Sequence, residues 1–466
     1  MIDRSELLTN FRKVCELSSD KDLKNFIHSN INLSKYQEDI LDISIHLRKG
    51  NLQKAKDKFE KLQENKYFLP YVLLKGTIED LIGEEEKANE SFVRAIFLSK
   101  EQSLRDAIAI TFSKKYPEVL RAKGFVEDLK THKLRILHGT IEIANQMYTY
   151  VSGLKKMGIY ARSLNYVSTY LGYKNDYNIE INKVDNNVIN QFINSFDIFH
   201  FHFGLSLHPQ NADLPFLKSI GKTFLMQYWG SDVRALSKAL KFNIYAKAKE
   251  QEELVLKRLD FVSKYVDHCV VEFTLSEYVK DYFKYIHFLP QAINLNMYHY
   301  SPKEPEEKIV IAHAPTNPEI KGTEIITSVV EKLKEKYPIE FVLIKGIPHS
   351  EAKKIYMKAD LVIDQLHSEG YGLLAIECMA LGKPVVVSVP DYFVKKYPPD
   401  LPVIRANPDN LLEVLENLIK KRNELPEIGK RGRQYVERYH DIEKVKYDLI
   451  QLYYDIMKEE GKFDRG

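Results

Sequence analysis

The sequence predicts an α/β protein in which two doubly wound domains face a cleft and an all-helical domain precedes them. Three observations carry this prediction. Residues 1–130 have few glycines, and their apolar residues recur at spacings of three and four. Residues 131–300 and 301–440 then alternate short apolar runs with helical patterns, which is typical of parallel sheets covered by helices. The polar, proline-containing segment 301–307 separates the two series and is the predicted linker.

The composition excludes several classes of protein. The 466 residues are 44% hydrophobic and 29% charged, with a formal net charge of +3. This mixture is ordinary for a globular chain of about three domains, and the near balance of charge argues against a nucleic-acid binder. The three cysteines, Cys15, Cys269 and Cys378, are widely spaced, which favours a reducing compartment. No apolar run approaches the ~18 residues of a membrane span, so we expect a cytoplasmic protein.

The helical domain contains a short motif that occurs twice. In each copy a glycine ends one helix, and an alanine and a phenylalanine one turn apart follow on the next. The two copies are Gly50, Ala55, Phe59 and Gly83, Ala88, Phe92. Their separation is close to the roughly 34-residue period of tetratricopeptide repeats, which this region resembles. An irregular helical bundle is the alternative, and in either case we expect the domain to bind a protein partner.

Strands are predicted wherever short apolar runs are bounded by turn residues. The predicted strands of the first α/β domain are 134–139, 196–203, 222–228, 269–271 and 286–289, and those of the second are 309–312, 341–344, 361–363 and 384–387. In such Rossmann-like sheets, ligands bind at the carboxyl ends of the strands. Residues 441–466 hold an amphipathic helix that we expect to pack back towards the first α/β domain.

The most informative segment is EGYGLLAIECMALGKPVV, residues 369–386. Glu369 follows a predicted strand, Gly370 and Gly372 allow a ligand to approach the backbone, and a helix begins near Leu373. Its N-terminus would favour a phosphate. A carboxylate beside a phosphate is better suited to binding hydroxyl groups, so the spacing of Glu369 and Glu377 suits a sugar on one side of a diphosphate and a ribose on the other. The alternative is two helix-forming glutamates on a solvated helix start.

This segment resembles the Glu-x7-Glu signature of the retaining family-four glycosyltransferases, which have the two-domain glycosyltransferase-B fold. The resemblance covers residues 131–460. It implies that Glu369 contacts the hydroxyls of the donor hexose and that Glu377 holds the nucleotide ribose. It also implies that Gly370, Tyr371 and Gly372 line the sugar-phosphate region.

Lys321 is the second signal, in the loop after the first strand of the second domain. In the resembling family an arginine and a lysine here clamp the donor diphosphate and stabilise the leaving nucleotide. Lys321 matches the lysine, but Thr316 stands where the arginine is usual. We expect hydrogen-bond donors of Thr316 and Asn317 to substitute for it. His313, at the end of the strand, is predicted to face the donor phosphates.

A third group follows the 222–228 strand of the first domain and is predicted to line the cleft. It comprises Trp229, Gly230, Asp232 and Arg234. Members of the resembling family commonly carry a histidine just before this glycine, and its role cannot be transferred to Trp229. The indole would stack on a sugar or belong to the core. Asp232 and Arg234 would either pair with each other to shape the loop or meet the substrates.

The remaining candidates lie at the ends of the first domain's strands. Gly139 is placed in an acceptor-side turn after the first strand. His200 and His202 lie on one side of a strand and, with His208, invite a metal interpretation, but local hydrogen bonds are favoured because no acidic partner has ligand spacing. We therefore expect no metal and no cofactor other than the nucleotide-sugar donor.

Together these residues predict retaining transfer of a hexose-type sugar from a nucleotide-diphosphate donor, with Glu369 and Lys321 as the catalytic residues. The acceptor would be a glycan, a lipid-linked sugar or a protein. Two alternatives stay open: a nucleotide-sugar epimerase of the same fold and a non-catalytic scaffold that binds protein.

The lysine-rich stretch 237–258 bears on localisation. We predict it to be helical and solvated, since three glutamates interrupt its positive charge. Peripheral contact with the inner face of a membrane is the alternative.

Overall fold

The computed structural model describes residues 34–304 and 306–463. The chain divides into two compact units, Met1–Val126 and Glu127–Gly466. Residues 1–33, which include Cys15 and the first part of the predicted helical domain, lie outside the described residues. None of the described helices is long and apolar enough to cross a membrane.

The described part of the first unit is helical, as predicted. Its helices are α1 (Lys35–Arg48), α2 (Leu52–Phe59), α3 (Leu69–Leu81), α4 (Glu85–Leu98), α5 (Gln102–Phe112) and α6 (Pro117–Lys130). Gly50 and Gly83 follow α1 and α3 with φ of 73° and 83°, a left-handed conformation that favours glycine. In α3, Gly76 lets Phe92 of α4 pack closely, since a Cβ there would lie 2.8 Å from the ring. The assignment to tetratricopeptide repeats stays a prediction.

The second unit contains two parallel sheets, and its fold class is confirmed. The first sheet comprises β1 (Ile136–Thr140), β2 (Ala161–Asn165), β3 (Tyr177–Asn178), β4 (Ile198–His202), β5 (Thr223–Gln227), β6 (His268–Val271) and β7 (Tyr285–Phe288). Their order is β3-β2-β1-β4-β5-β6-β7, so the direction of winding reverses between β1 and β4. The central strands are buried on both faces and β3 and β7 form the exposed edges, as the apolar runs require.

The second sheet has the order β12-β11-β10-β8-β9 and reverses between β8 and β10. Its strands are β8 (Ile309–His313), β9 (Ile339–Leu343), β10 (Leu361–Ile363), β11 (Val385–Val387) and β12 (Ile404–Arg405). Alternate residues face opposite cores. Val362 packs into one hydrophobic cluster, whereas Leu361 and Ile363 pack into another on the opposite face. Nine of these strands were predicted from the sequence, whereas the short or polar β2, β3 and β12 were not.

Helices cover both sheets. Those after the first-sheet strands are α7 (Gln146–Lys155), α8 (Asn186–Ser195), α9 (Leu214–Ser219), α10 (Leu236–Ala239), α11 (Glu252–Ser263) and α12 (Ser276–Val279). Those of the second sheet are α13 (Pro318–Lys321), α14 (Thr323–Lys334), α15 (His349–Tyr356), α16 (Leu373–Ala380), α17 (Asp391–Val394), α18 (Leu411–Lys420) and α19 (Leu425–Tyr439). The last helix is α20 (Ile442–Glu459).

Two helical predictions have different outcomes. The predicted C-terminal helix is α20, and it packs on α7 of the first sheet, where Gly153 leaves room for Ile442. The single helix predicted over 237–258 is wrong. The structure has α10 and α11 there, with 240–251 between them outside any helix, and the chain in that segment turns to meet the second sheet's loops.

Helix packing under the second sheet generates a stability prediction. Gly429 of α19 lies against the backbone of Gly382, and a Cβ at Gly429 would come within 1.9 Å of the Gly382 carbonyl oxygen. The variant Gly429→Ala should therefore push α19 away from α16 and cost about 1–3 kcal/mol or more. We expect a lower Tm by differential scanning calorimetry.

Gly124→Ala is the matched control. Nothing lies within 4 Å of a Cβ at this position in α6, and alanine is the better helix former by about 1 kcal/mol. Its Tm should be equal or higher. Equal Tm values for the two variants would contradict the close packing of α19.

Candidate active site

The Glu369–Gly372 loop lies at the carboxyl edge of the second sheet, between β10 and α16. Glu369 is fully buried, with 0% of its surface exposed. Gly370 is required where it stands, because a Cβ would lie 2.5 Å from the Tyr397 hydroxyl. A Cβ on Gly372 would lie 3.4 Å from a carboxylate oxygen of Asp364. The loop is thus held closely between the two sheets.

The Glu369 carboxylate pairs with Arg234 of the first sheet. The Arg234 Nε donates to both carboxylate oxygens, at 2.9 and 3.2 Å. The guanidinium passes over Gly230, where a Cβ would lie 3.1 Å from Nη1, and lies 5.9 Å from the ring centre of Tyr278. Burial disfavours the charged guanidinium, but Glu369 outweighs that effect and raises the pKa of Arg234. Arg234 therefore pairs with Glu369 and not with Asp232.

Lys321 lies on the other side of the same loop. Its Nζ donates to Asp364 Oδ1 at 2.6 Å and to Gln365 Oε1 at 2.8 Å. The second Asp364 oxygen accepts the Gly372 amide at 2.9 Å, and Gln365 Nε2 donates to the Gly370 carbonyl. Because a Cβ on Gly372 would lie 3.6 Å from Lys321 Nζ, the ammonium group is beside the start of α16.

The N-terminus of α16 is open. Gly372 is its N-cap and no side chain caps the helix. Within the described ranges, the amides of Leu373 and Leu374 meet no protein acceptor. Two amide donors, the positive end of the helix dipole and the Lys321 ammonium therefore converge, which is the arrangement that binds a phosphate.

Glu377 lies one turn further along α16, between two aromatic side chains. Its Oε1 accepts from the Tyr298 hydroxyl and from His349 Nε2, both at 2.8 Å. Burial opposes the charge on His349, but the hydrogen bond and the charge of Glu377 raise the pKa of this histidine. The ring centres of Tyr173 and His349 lie 5.6 Å apart. No described residue donates to Glu377 Oε2, which leaves this oxygen for a hydroxyl group.

Asp232 shapes the loop that carries Arg234. It is buried and accepts the backbone amides of Trp229 and Gly230, at 3.0 and 2.8 Å. Burial raises the pKa of Asp232 to about 6, although these hydrogen bonds oppose the shift. Arg258 binds its carbonyl oxygen at 2.6 Å. Asp232 thus faces the protein backbone, and Arg234 faces the cleft.

Three histidines meet beneath Trp229. His138 and His200 are register partners on β1 and β4, and His202 follows two residues later on the same face. Their rings are buried, and their potential ligand atoms lie within 4.8 Å of one another. Sequence analysis grouped His208 with this set. The structure brings in His138 instead, because register pairs neighbouring strands, whereas the His208 ring accepts a local amide from Gln210.

A chain of hydrogen bonds determines the protonation of these rings. The Trp229 indole can only donate, and it donates to His202 Nδ1 at 3.2 Å. A neutral His202 then donates from Nε2 to His138 Nδ1 at 3.0 Å, and His138 Nε2 donates to the Tyr453 hydroxyl at 2.8 Å. That hydroxyl donates to His200 Nδ1 at 3.0 Å. Five ring nitrogens are thereby used, and α20 is connected to Trp229.

The other predicted site residues lie outside the central group. His313 is buried and uses both ring nitrogens, on the Ile363 carbonyl at 2.8 Å and the Thr323 hydroxyl at 2.9 Å, so it does not face the cleft. Asn317 caps α13 with its side chain. Thr316 is exposed beside it.

Tyr371 and Gly139 are the remaining predicted site residues. The Tyr371 hydroxyl turns away to Tyr435 and His440, both at 3.1 Å, so only its backbone faces the loop. Gly139 is within β1 and buried against Leu164, so the prediction that it lies in a turn after the first strand is wrong.

Sequence reasoning missed Glu272. It follows β6 at the carboxyl edge of the first sheet and accepts the Tyr397 hydroxyl and the Thr274 amide, both at 3.2 Å. Burial, with the nearby Glu369 charge, raises its pKa to about 7. The signal was available, since Glu272 comes directly after a predicted strand, where ligand-facing residues of such sheets lie.

Residues 320–435, which contain Lys321, Glu369 and Glu377, match the family described as glycosyl transferases group 1. The predicted enzyme class, a glycosyltransferase, is confirmed. None of the curated proteins matches the chain.

The chain is also similar to solved structures. Sucrose-phosphate synthase from Thermosynechococcus elongatus is 14% identical with a TM-score of 0.53, and the match covers 70% of this chain and 100% of that one. A glycosyltransferase from Rickettsia africae is 16% identical with a TM-score of 0.49, covering 70% and 99%. Anabaena HepE in complex with UDP and glucose is 9% identical with a TM-score of 0.46, covering 69% and 99%. The first of these shows that the second unit has the two-domain glycosyltransferase-B fold.

The histidine chain generates a spectroscopic prediction. Trp229 is the single tryptophan of the protein, so fluorescence excited selectively at tryptophan reports on the surroundings of this one indole, which include His202. Burial and the neighbouring histidines hold the pKa of His202 well below its usual 6.5. We therefore expect His202 to cause no change in tryptophan emission between pH 8 and about pH 5.5, since only a protonated His202 would quench it. Asp232, which accepts the Trp229 amide and has a pKa of about 6, titrates in the same range, so the pH series is measured on Asp232→Asn as well.

Tyr453→Phe tests the same chain from its far end. This variant removes the hydroxyl between His138 and His200. It should lower the free energy of unfolding by about 1–3 kcal/mol and shift the tryptophan emission. Tyr170→Phe, at an exposed position, is the control and should change neither. An emission change with a midpoint near pH 6.5 that persists in Asp232→Asn would contradict the buried, neutral state of His202.

Proposed function

We propose that the protein transfers a hexose-type sugar, with retention of configuration, from a nucleotide-diphosphate donor to an acceptor bound on the first sheet. The observation that carries the proposal is the open start of α16, where free amides and Lys321 converge between Glu369 and Glu377. A phosphate at that point would have a carboxylate on each side. The donor's two hydroxyl-rich ends, hexose and ribose, match that arrangement.

The diphosphate would lie against the α16 N-terminus. The amides of Leu373 and Leu374 would donate to its oxygens, and Lys321 would move part of its interaction from Asp364 to the phosphate. When the bond between the anomeric carbon and the phosphate oxygen breaks, its electron pair stays on that oxygen. Lys321 and the helix dipole stabilise this developing charge and therefore the leaving nucleotide.

The two glutamates would orient the sugars on either side. Glu369 would accept from hexose hydroxyls, held in place by Arg234, and Glu377 Oε2 would accept from the ribose while Oε1 stays bound to Tyr298 and His349. Because both carboxylates are already buried and oriented, little ordering is left for the donor to induce. Trp229 would belong to the acceptor side.

The acceptor hydroxyl would attack the anomeric carbon from the face that the nucleotide leaves. Its oxygen forms the new bond to carbon, and its proton passes to the departing phosphate oxygen. We assign no metal to this step, because Lys321 and the helix N-terminus supply the positive charge. The acceptor would be a glycan, a lipid-linked sugar or a protein, and the helical unit would bind a protein partner.

A donor screen tests the proposal. Tm is measured by thermal shift with UDP-, GDP-, ADP- and TDP-linked hexoses. We expect donors with one of these bases to raise the Tm of the protein, since a ligand that binds only the folded state stabilises it. The selected donor, incubated with candidate acceptors in buffer containing EDTA, should give a product with the donor's anomeric configuration by NMR. Inversion of configuration would contradict the proposed mechanism.

The same screen separates the alternatives. An epimerase would convert the donor alone into a second nucleotide sugar of the same mass. New sugar signals in the NMR spectrum of the donor would reveal this conversion. A non-catalytic scaffold would show no donor-dependent rise in Tm. Either result would overturn the proposed transfer.

Two variants test the assigned residues. Lys321→Ala should lower kcat by at least about 100-fold, because it removes charge stabilisation of the leaving group. Glu369→Gln should have an effect of similar size, since it weakens orientation of the hexose. Turnover is measured with the donor that the screen identifies, and circular dichroism checks the fold.

Lys257→Gln is the control for these variants. Lys257 is exposed on α11 in an ion pair with Glu253, far along the chain from the loop, and the variant should retain full turnover. Near-normal turnover of Lys321→Ala would remove the basis for its catalytic assignment.

A further inference from the structure

Arg234 is only partly used by the protein. Its Nε makes both hydrogen bonds to Glu369. In the part of the chain that the structure describes, no acceptor meets Nη1 or Nη2, and neither atom is a fully buried orphan. The side chain keeps 12% of its surface exposed. The guanidinium is therefore held at Nε, while Nη1 and Nη2 lie over Gly230 with no described acceptor and with part of the side chain exposed.

The donor loop lacks an arginine at the position where the resembling family has its second cation. Thr316 occupies the position where the resembling family has the phosphate-clamp arginine, and it is exposed and uncharged. Asn317, its neighbour, uses its side-chain oxygen to cap α13. The second sheet therefore offers Lys321 and the α16 amides to a diphosphate, with no arginine at the usual place.

Arg234 and Lys321 lie at the two ends of one short loop. Arg234 holds Glu369, and Lys321 lies beside Gly372. Glu369 and Gly372 are three positions apart in the chain, so the Cα atoms of these two residues are at most about 11 Å apart. The path between them is rigid, because Gln365 bonds both the Gly370 carbonyl and Lys321. A diphosphate at the α16 N-terminus would then lie between the two cations.

We infer that Arg234 supplies the missing cation, so that one charge from each sheet binds the donor diphosphate. The inference rests on the proposed function and adds a phosphate-binding residue to it. Arginine suits this role, since its planar fork matches phosphate oxygens in a bidentate geometry. Glu369 acts as its anchor: the bond to Nε aims the Nη groups, and the same carboxylate meets the hexose. Donor binding thereby draws both sheets to one ligand.

Nucleoside diphosphates and monophosphates with the same base are the probes. For the base found in the donor screen, titration calorimetry gives Kd for each, and the ratio isolates the outer phosphate. Arg234→Gln should reduce the preference for the diphosphate by about tenfold and leave monophosphate binding within about twofold. Arg234→Lys keeps a charge without the fork and should lie between.

The double variant Arg234→Gln/Thr316→Arg is the decisive arm. It returns a cation to the donor loop from the second sheet, and we expect it to restore most of the diphosphate preference. A residue that merely holds the fold together would not be rescued in this way. Lys247→Gln is the matched control: Lys247 also reaches the second sheet from the first, but it pairs with exposed Glu319, and its removal should leave the ratio unchanged.

The outcomes separate the two proposals. If no nucleoside diphosphate binds the wild-type protein, the proposed function fails and this inference fails with it. If the wild type binds but Arg234→Gln keeps the same preference, only the role of Arg234 is overturned. Equal loss of mono- and diphosphate binding without rescue by Thr316→Arg would likewise overturn it and leave Arg234 as a support for Glu369.

Discussion

The ion pair between Arg234 and Glu369 is the interaction on which the rest of the site depends. Glu369 is fully buried, and an unpaired carboxylate there would be expensive, since breaking a buried pair costs about 3–5 kcal/mol. Arg234 removes that cost from the opposite sheet. The donor loop can therefore keep a buried acid only while the two sheets are together, and the carboxyl edges of both are held facing one another.

Around this pair, each charge of the loop has a partner of opposite sign. Lys321 is balanced by Asp364 and Arg234 by Glu369, so the site is nearly neutral without a ligand. On donor binding, the two cations would exchange carboxylate partners for diphosphate oxygens. The diphosphate would therefore not enter a pocket of unpaired positive charge. The overall charge of +3 is consistent with such local pairing. Asp232 and the histidine chain under Trp229 support the pair from below by holding the loop that carries Arg234.

Much of the fold and of the donor loop was predictable from the sequence. Buried central strands read as apolar runs, and Glu369, Gly370, Gly372 and Glu377 mark a loop and helix start by residue type and spacing alone. The short edge strands β3 and β12 were missed because exposed or half-exposed strands carry a weak apolar signal. The buried β2 was missed because the polar residues in Ala161–Asn165 interrupt its apolar run. The helix predicted over 237–258 failed since contacts with the second sheet outweighed the local pattern.

The sequence by itself determined which residue types reach the donor loop: two glutamates, two close glycines and one lysine at helix-start spacing. Only the tertiary structure decided their partners. Strand register brought His138 to His200, and the approach of two sheets brought Arg234 to Glu369 and Glu272 to Tyr397. These pairs join residues far apart in the chain, and no local spacing encodes such contacts. Local sequence therefore determined the chemical groups of the site, and long-range packing determined how their charges are balanced.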